Sequence, residues 1–336
     1  MAPNEPGPVR LTWTQAAQTV YGILRYTDKK DVFSMADVMG YSGHAFRITI
    51  HRETVSPAAP TVYSPYDLMG RTFEWFGFHV EKIGIPTPAS PEQLGQFITF
   101  IQTSIDAGIP VAGWDLFVPE FGIIYGYDHE RQEIYARDTE KDGVIKYSDL
   151  NNRKYNFLHA TAISDSRPID LLTVLGQSLE RAISFSKGKY QKPDHEPFRN
   201  GLDGYDAWIE AFEGGNINIP GNAYNLAVIA DAREFAVRFF DSFREKWTGQ
   251  SALVRRLLPL AHQAALQYGK VADALGEMRS MFPFPHGGEP NQRDQAERAI
   301  DLIRAAQAEE IRGIEVMERM LTLLEEEQHA DRSICN

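Results

Sequence analysis

The feature that most restricts the fold is a change of pattern at Pro168. Before it, a few short helical stretches give way to brief apolar segments with near two-residue alternation, separated by turn residues. After it, apolar residues recur every three or four positions almost to the end of the chain. The first pattern belongs to an antiparallel meander and the second to amphipathic helices. Helices followed by a meander make an α+β domain, and helices that each carry one apolar stripe bury it by bundling. The sequence therefore predicts two domains in 336 residues: an α+β domain at 1–165 and a helical bundle at 166–336.

Local punctuation sets the elements. Thr12 and Gln15 have capping-box spacing for a helix over about Trp13–Tyr26, and Ser34 starts a short helix that stops at Gly40. Ser64-Pro65 opens another that ends near Gly77. Ser90-Pro91-Glu92-Gln93 opens a further one that Gly108 closes. Strands are expected at Ala45–Arg52, Phe78–Ile83, Ile109–Trp114, Phe121–Asp128, Glu133–Asp138, Val144–Tyr147 and Tyr155–Ile163. Helices follow at Pro168–Lys187, Gly204–Phe212, Asn222–Trp247, Gln250–Phe282 and Asn291–Glu327, with Pro259 expected to kink or divide the fourth.

Composition excludes several classes. A net charge of −12 and no large basic cluster argue against nucleic acid as a partner. No apolar stretch reaches membrane-spanning length, and Met1 to Gly7 lacks the pattern of a secretory signal, so no membrane partner and a cytoplasmic location are expected. One cysteine excludes a disulfide framework and a thiolate zinc site.

That cysteine is Cys335, the second-last residue, and a terminus holds no nucleophile in an attack geometry. Four segments give this absence its weight. Trp13–Tyr26 is an apolar-striped helix near the start. Glu120-Phe121-Gly122-Ile123-Ile124-Tyr125-Gly126-Tyr127-Asp128 is a strand ending in Gly-Tyr-Asp. Ile134–Asp138 follows it, and then Gly143 to Leu150 ends in Tyr-Ser-Asp-Leu. Together with Met39–Arg47 and Gly204–Trp208, these resemble the papain-like proteins of the butirosin-biosynthesis protein H N-terminal type. The resemblance implies a cysteine on the first helix, a histidine opening the strand and an orienting Asn or Asp on the next strand. Here those positions fall near Gln15, with Thr14 beside it, on Glu120 and on Asp138. The family's thiol chemistry does not carry over, and Thr14 without a base is a poor nucleophile.

Each candidate has a plain reading beside the functional one. Gln15 is an amide donor in a ligand pocket or the N3 member of a capping box. Glu120 is a general base paired with Asp138, whose mutual repulsion would suit acid–base work, or an exposed strand start. His44 and Arg47 form an anion site or bond within their turn. His51 and Glu53 share a strand face, but two ligands are too few for a metal, and Glu326-x-x-His329 lacks a second pair. Arg233 and Glu310 sit on apolar stripes, so they meet as an ion pair across the bundle or line a polar pocket. Trp13, Trp114, Tyr125, Tyr127 and Trp208 line a ligand pocket or fill the core. No cofactor or metal is implied.

Three functions follow as expectations. The first is a papain-like scaffold without its thiol dyad that binds a small-molecule or peptidyl/acyl ligand through Trp13, Thr14, Gln15, Trp114, Arg233 and Glu310. The second is an amide or ester hydrolase or acyltransferase using Glu120, Asp138 or threonine. The third is an interaction protein that forms a homo-oligomer through its bundle.

Overall fold

The computed structural model describes residues 10–64, 66–189, 197–247 and 251–334. In chain order its elements are α1 (Gln15–Leu24), α2 (Met35–Tyr41), β1 (Thr49–His51), α3 (Arg71–Trp75), β2 (His79–Pro86), α4 (Pro91–Asp106), β3 (Val111–Trp114), β4 (Phe121–Asp128), β5 (Glu133–Arg137), β6 (Asp142–Lys146) and β7 (Phe157–Ser164). Then come α5 (Leu171–Ser186), β8 (Phe198–Asn200), α6 (Leu202–Gly214), α7 (Ile219–Asp241), α8 (Phe243–Lys246), α9 (Ala252–Met281) and α10 (Arg293–Ile334). The fold is α+β, with antiparallel sheets and helices towards the C-terminus. No helix among the described residues is long and apolar enough to cross a membrane.

The chain divides into two compact units, one of residues up to Val38 with Pro65–Ile169, the other of Met39–Ser64 with the residues from Asp170 onward. Residues 39–64 thus belong with the helices, where the sequence reading kept 1–165 together. Their apolar residues explain the difference. Phe46 packs its ring 5.2 Å from that of Tyr268 and 5.7 Å from that of Phe240, and Ile48 and Ile50 join a core with Trp208, Leu226 and Ile303. Burying one such ring contributes about 1.5–3 kcal/mol, and none of those partners is local in sequence.

The first unit is built on a six-stranded sheet of order β2-β7-β3-β4-β5-β6, antiparallel throughout. One face carries Val111, Ile124, Leu158 and Ala160, which pack with Phe97 and Ile101 of α4. That helix begins at a complete capping box: Gln93 N–H donates to Ser90 Oγ at 3.2 Å, and Ser90 N–H donates to Gln93 Oε1 at 2.9 Å. The opposite face carries Phe121 and Ile123 and receives α1, which comes close enough that a Cβ on Gly22 would lie 2.4 Å from Ile123 Cδ1. Burial on both faces is why β4 reads as a nearly continuous apolar run.

In the second unit α6, α7, α9 and α10 enclose a core that includes Trp208, Leu226, Ile229, Val271, Leu275 and Ile303. Arg233 and Glu310 meet inside it, at 0% and 1% exposure, with Arg233 Nε donating to Glu310 Oε2 at 2.7 Å. Tyr205 Oη donates to the same oxygen at 2.9 Å, and Arg233 Nη1 donates to the Ala45 carbonyl at 3.0 Å. Burial alone would lower the Arg233 pKa; the Glu310 carboxylate outweighs it, and the guanidinium is held charged.

Three local expectations differ from the structure. The Thr12/Gln15 capping box does not form: α1 begins at Gln15 itself, with Thr14 as its cap residue and no side-chain cap bond. The expected strand from Ala45 is a 3₁₀ turn at His44–Phe46, set up by Gly43 at φ +80°, and only Thr49–His51 is extended. Its partner β8 carries no alternation long enough to read from sequence. Pro259, expected to kink or divide α9, does not divide it, and the helix runs through it.

Candidate functional site

The opening of α1 lies towards the start of β4. Arg10 Nη2 donates to Thr139 Oγ1 at 3.0 Å, just past the end of β5. Gly22 sits over Ile123, and Tyr26 lies near enough to Tyr125 to raise its pKa further. Helix and strand therefore run side by side in the same direction, with the first turn of α1 towards the β3–β4 hairpin.

The two faces of β4 are distinct there. β4 alternates Phe121 and Ile123 towards α1, and Gly122 and Ile124 towards α4. Glu120, half-buried, lies one residue before the strand, at a turn in which its N–H donates to the Val118 carbonyl at 2.7 Å. In phase with α1 stands Phe121, an apolar ring. Thr14 and Gln15 are themselves buried, at 8% and 7% exposure. Gln15 Nε2 donates to the Thr12 carbonyl at 3.4 Å, and Thr14 N–H donates to Thr12 Oγ1 at 3.1 Å, so both hold the entry to the helix. Trp13, half-buried, stacks under the Arg10 guanidinium at 4.0 Å.

Asp138 is a loop anchor. Its Oδ2 accepts the N–H groups of Phe117 at 2.8 Å and Val118 at 3.0 Å; its Oδ1 accepts those of Glu140 at 2.8 Å and Lys141 at 3.3 Å. A carboxylate engaged by four backbone donors has little acceptor capacity left for a proton shuttle. It can sit there because Gly122 has no side chain: a Cβ at that position would lie 2.8 Å from Asp138 Cβ and 2.4 Å from the Arg137 carbonyl oxygen.

Beside the hairpin, on the α1 face, lies a row of rings of which Trp114 alone is among the sequence's ligand-binding candidates. Trp114 meets Phe121 edge-on at 4.8 Å and Tyr155 at 6.2 Å. Phe121 meets the His159 imidazole at 6.4 Å, and His159 stacks on Phe157 at 6.3 Å. Tyr155 is 50% and Phe157 41% exposed, while Phe121 is buried at the centre. His159 Nε2 lies 3.1 Å from Thr161 Oγ1. Burial first, and then the Lys82 charge, hold its pKa down to about 4, so it presents a neutral ring at physiological pH. Only the alternation of β7 marks His159 beforehand, as it places residues 157, 159 and 161 on one face.

The other candidates are structural. Tyr125 donates its hydroxyl to Asp142, and Tyr127 donates to Asp106 Oδ1 at 2.8 Å. Trp208 Nε1 donates to Asn222 Oδ1 at 3.0 Å inside the helical core. Arg233 and Glu310 form the ion pair described above and have no access to solvent. His44 is buried, and burial followed by the charges of Arg47 and Arg181 holds its pKa well below the ordinary value. His51 Nδ1 lies 3.3 Å from Thr54 Oγ1 and accepts within its own turn. Among the described residues no group of three or more His, Cys, Asp or Glu side chains is arranged to hold a metal. Cys335 lies outside the described residues. No protein-family model matches this chain, and no curated protein matches it either.

Proposed function

We propose that the α+β unit is a papain-like scaffold without its thiol dyad, and that it binds a small-molecule or peptidyl/acyl ligand on the row of rings beside the β3–β4 hairpin. The observation that carries this reading is the partly exposed Trp114–Tyr155–Phe157–His159 group at the end of β4 towards which α1 opens. Exposed aromatic surface next to a buried ring and a neutral imidazole suits an uncharged acyl or peptide group. Support for the papain-like part comes from the first long helix lying along the strand that ends Gly126-Tyr127-Asp128. A carboxylate hydrolase draws less support, since Asp138 is engaged by backbone donors.

A panel of N-acyl amino acids and short neutral peptides, read by thermal shift and ligand-observed NMR, tests this. Compounds that stabilise the wild-type protein are expected to lose at least about tenfold in affinity against Trp114→Ala, the loss of roughly 1.4 kcal/mol. A panel that leaves the wild type unshifted, or hits that bind Trp114→Ala equally well, would defeat the proposal. Turnover of a panel member that disappears in Glu120→Gln would move the assignment to the hydrolase.

A further inference from the structure

The helical unit carries an open groove of about 720 Å³ along α9 and α10, walled by Arg256, Pro259 and Leu260 on one side and Glu315, Arg319 and Leu323 on the other. Along this helix pair Lys270 meets Glu309 at 3.2 Å and Arg298 meets Glu277, and Arg256 at the groove itself reaches Glu326 at 3.1 Å. Glu318, also on the groove, pairs with Lys187 of α5, which leaves Glu315 and Arg319 as its two charges without an ion pair among the described residues. Glu315 and Arg319 stand at i and i+4, the spacing at which such a pair closes on a helix surface. Yet neither forms an ion pair among the described residues; Arg319 Nη1 donates instead to the neutral Gln263 Oε1 at 3.2 Å. Both side chains lie on the exposed side of α10.

Two large apolar residues of the same faces are also exposed. On α10, residues 311, 315, 318 and 322 form one stripe, and on α9 residues 259, 263 and 266 form another. These stripes bring Ile311, 41% exposed, and Leu266, 55% exposed, to the margin of the groove. The face therefore offers an apolar centre and one unclosed positive and negative pair, four residues apart on a single helix.

We propose that this face is the interface between two copies of the chain. A two-fold axis across the groove sets the two α10 helices antiparallel, so that Arg319 meets Glu315 of the second copy and Glu315 meets its Arg319. A charge pattern that is its own complement under rotation suits an identical partner. It asks of any other partner that the same pattern be reproduced. Exposed ion pairs alone are worth little, so affinity must come from Leu266, Ile311 and the half-buried Leu323, with the charges fixing register. Two helix pairs joined in this way make a four-helix arrangement. The inference concerns the helical unit only and stands apart from the ligand reading of the α+β unit.

Sedimentation of the full chain tests it. The wild type is expected to dimerise in a concentration-dependent way. Glu315→Arg and Arg319→Glu, each of which places two like-charge contacts in the interface, are expected to weaken the dimer about tenfold or more. The double variant Glu315→Arg/Arg319→Glu restores both pairs with signs exchanged and is expected to recover the wild-type constant within a few-fold. Circular dichroism controls for folding, and both substitutions lie at exposed positions. A wild type that stays monomeric at its highest soluble concentration overturns the proposal. So does a dimer indifferent to both single reversals, which must use another face, or a double variant that fails to recover.

Discussion

Asp138 shows how a residue type can suggest chemistry while its neighbours assign it to architecture. Its two oxygens gather backbone N–H groups from the 117–118 and 140–141 loops. Hydrogen bonds to a charged acceptor are worth about 1.5–3 kcal/mol each, and they do not add in full. Asp138→Ala is expected to cost about 3 kcal/mol in urea denaturation, and Asp138→Asn nearly as much, because an NH₂ group would face two N–H donors. An Asn variant as stable as the wild type would contradict the anchoring role. The buried histidines contribute to the loss of stability in acid. His159 titrates at about 4 when folded, against 6.5 in an unperturbed chain. Between those values the unfolded chain takes up a proton that the folded one refuses, so stability is full above pH 6.5 and falls as the pH drops towards 4. His44 acts in the same sense. His159→Asn should flatten the decline in melting temperature across this window; an unchanged slope would show that the ring is not held neutral.

At the scale of elements, close approach decides what each position tolerates. Gly122→Ala puts a Cβ 2.4 Å from the Arg137 carbonyl, a backbone atom that cannot rotate away. The expected cost is about 1–3 kcal/mol, read as a lower denaturation midpoint, and a neutral result would mean that β4 and β5 are less tightly apposed. In the helical unit, Arg233→Met alone strands a buried carboxylate and should cost about 3–5 kcal/mol, whereas Arg233→Met/Glu310→Met should recover most of it. Equal losses in both variants would show that the pair stabilises the unit outright. That these two residues meet was readable from the sequence, because each interrupts an apolar helical stripe. The bounds of β4 and the Ser90 cap were readable too, being written in contiguous residues. What was not readable is non-local. β1 finds β8 about 150 residues away, Asp138 finds donors on another loop, and the Glu120 register rests on counting through a strand whose faces only the packing of α1 and α4 distinguishes.

For the molecule as a whole, the telling fact is that its two units are not consecutive stretches of chain. A fragment ending at residue 165 keeps the sheet but leaves Phe46, Ile48 and Ile50 without Trp208, Phe240 and Tyr268. Such a fragment is expected to aggregate or to show rapid amide exchange across 39–64 while the sheet stays protected. Slow exchange throughout would mean that the segment folds without the helices. Cys335→Ser and thiol-directed reagents are expected to leave ligand binding unchanged, since no thiol stands on α1. Interleaving also shapes how the protein is made. At ~5–20 residues per second, a ribosome that has released residue 64 needs roughly ten to thirty-five seconds more to deliver α7. For that interval the nascent chain carries a greasy stretch with nowhere to go, and whatever shelters it on the way out of the exit tunnel helps determine how much of the protein a cell recovers intact.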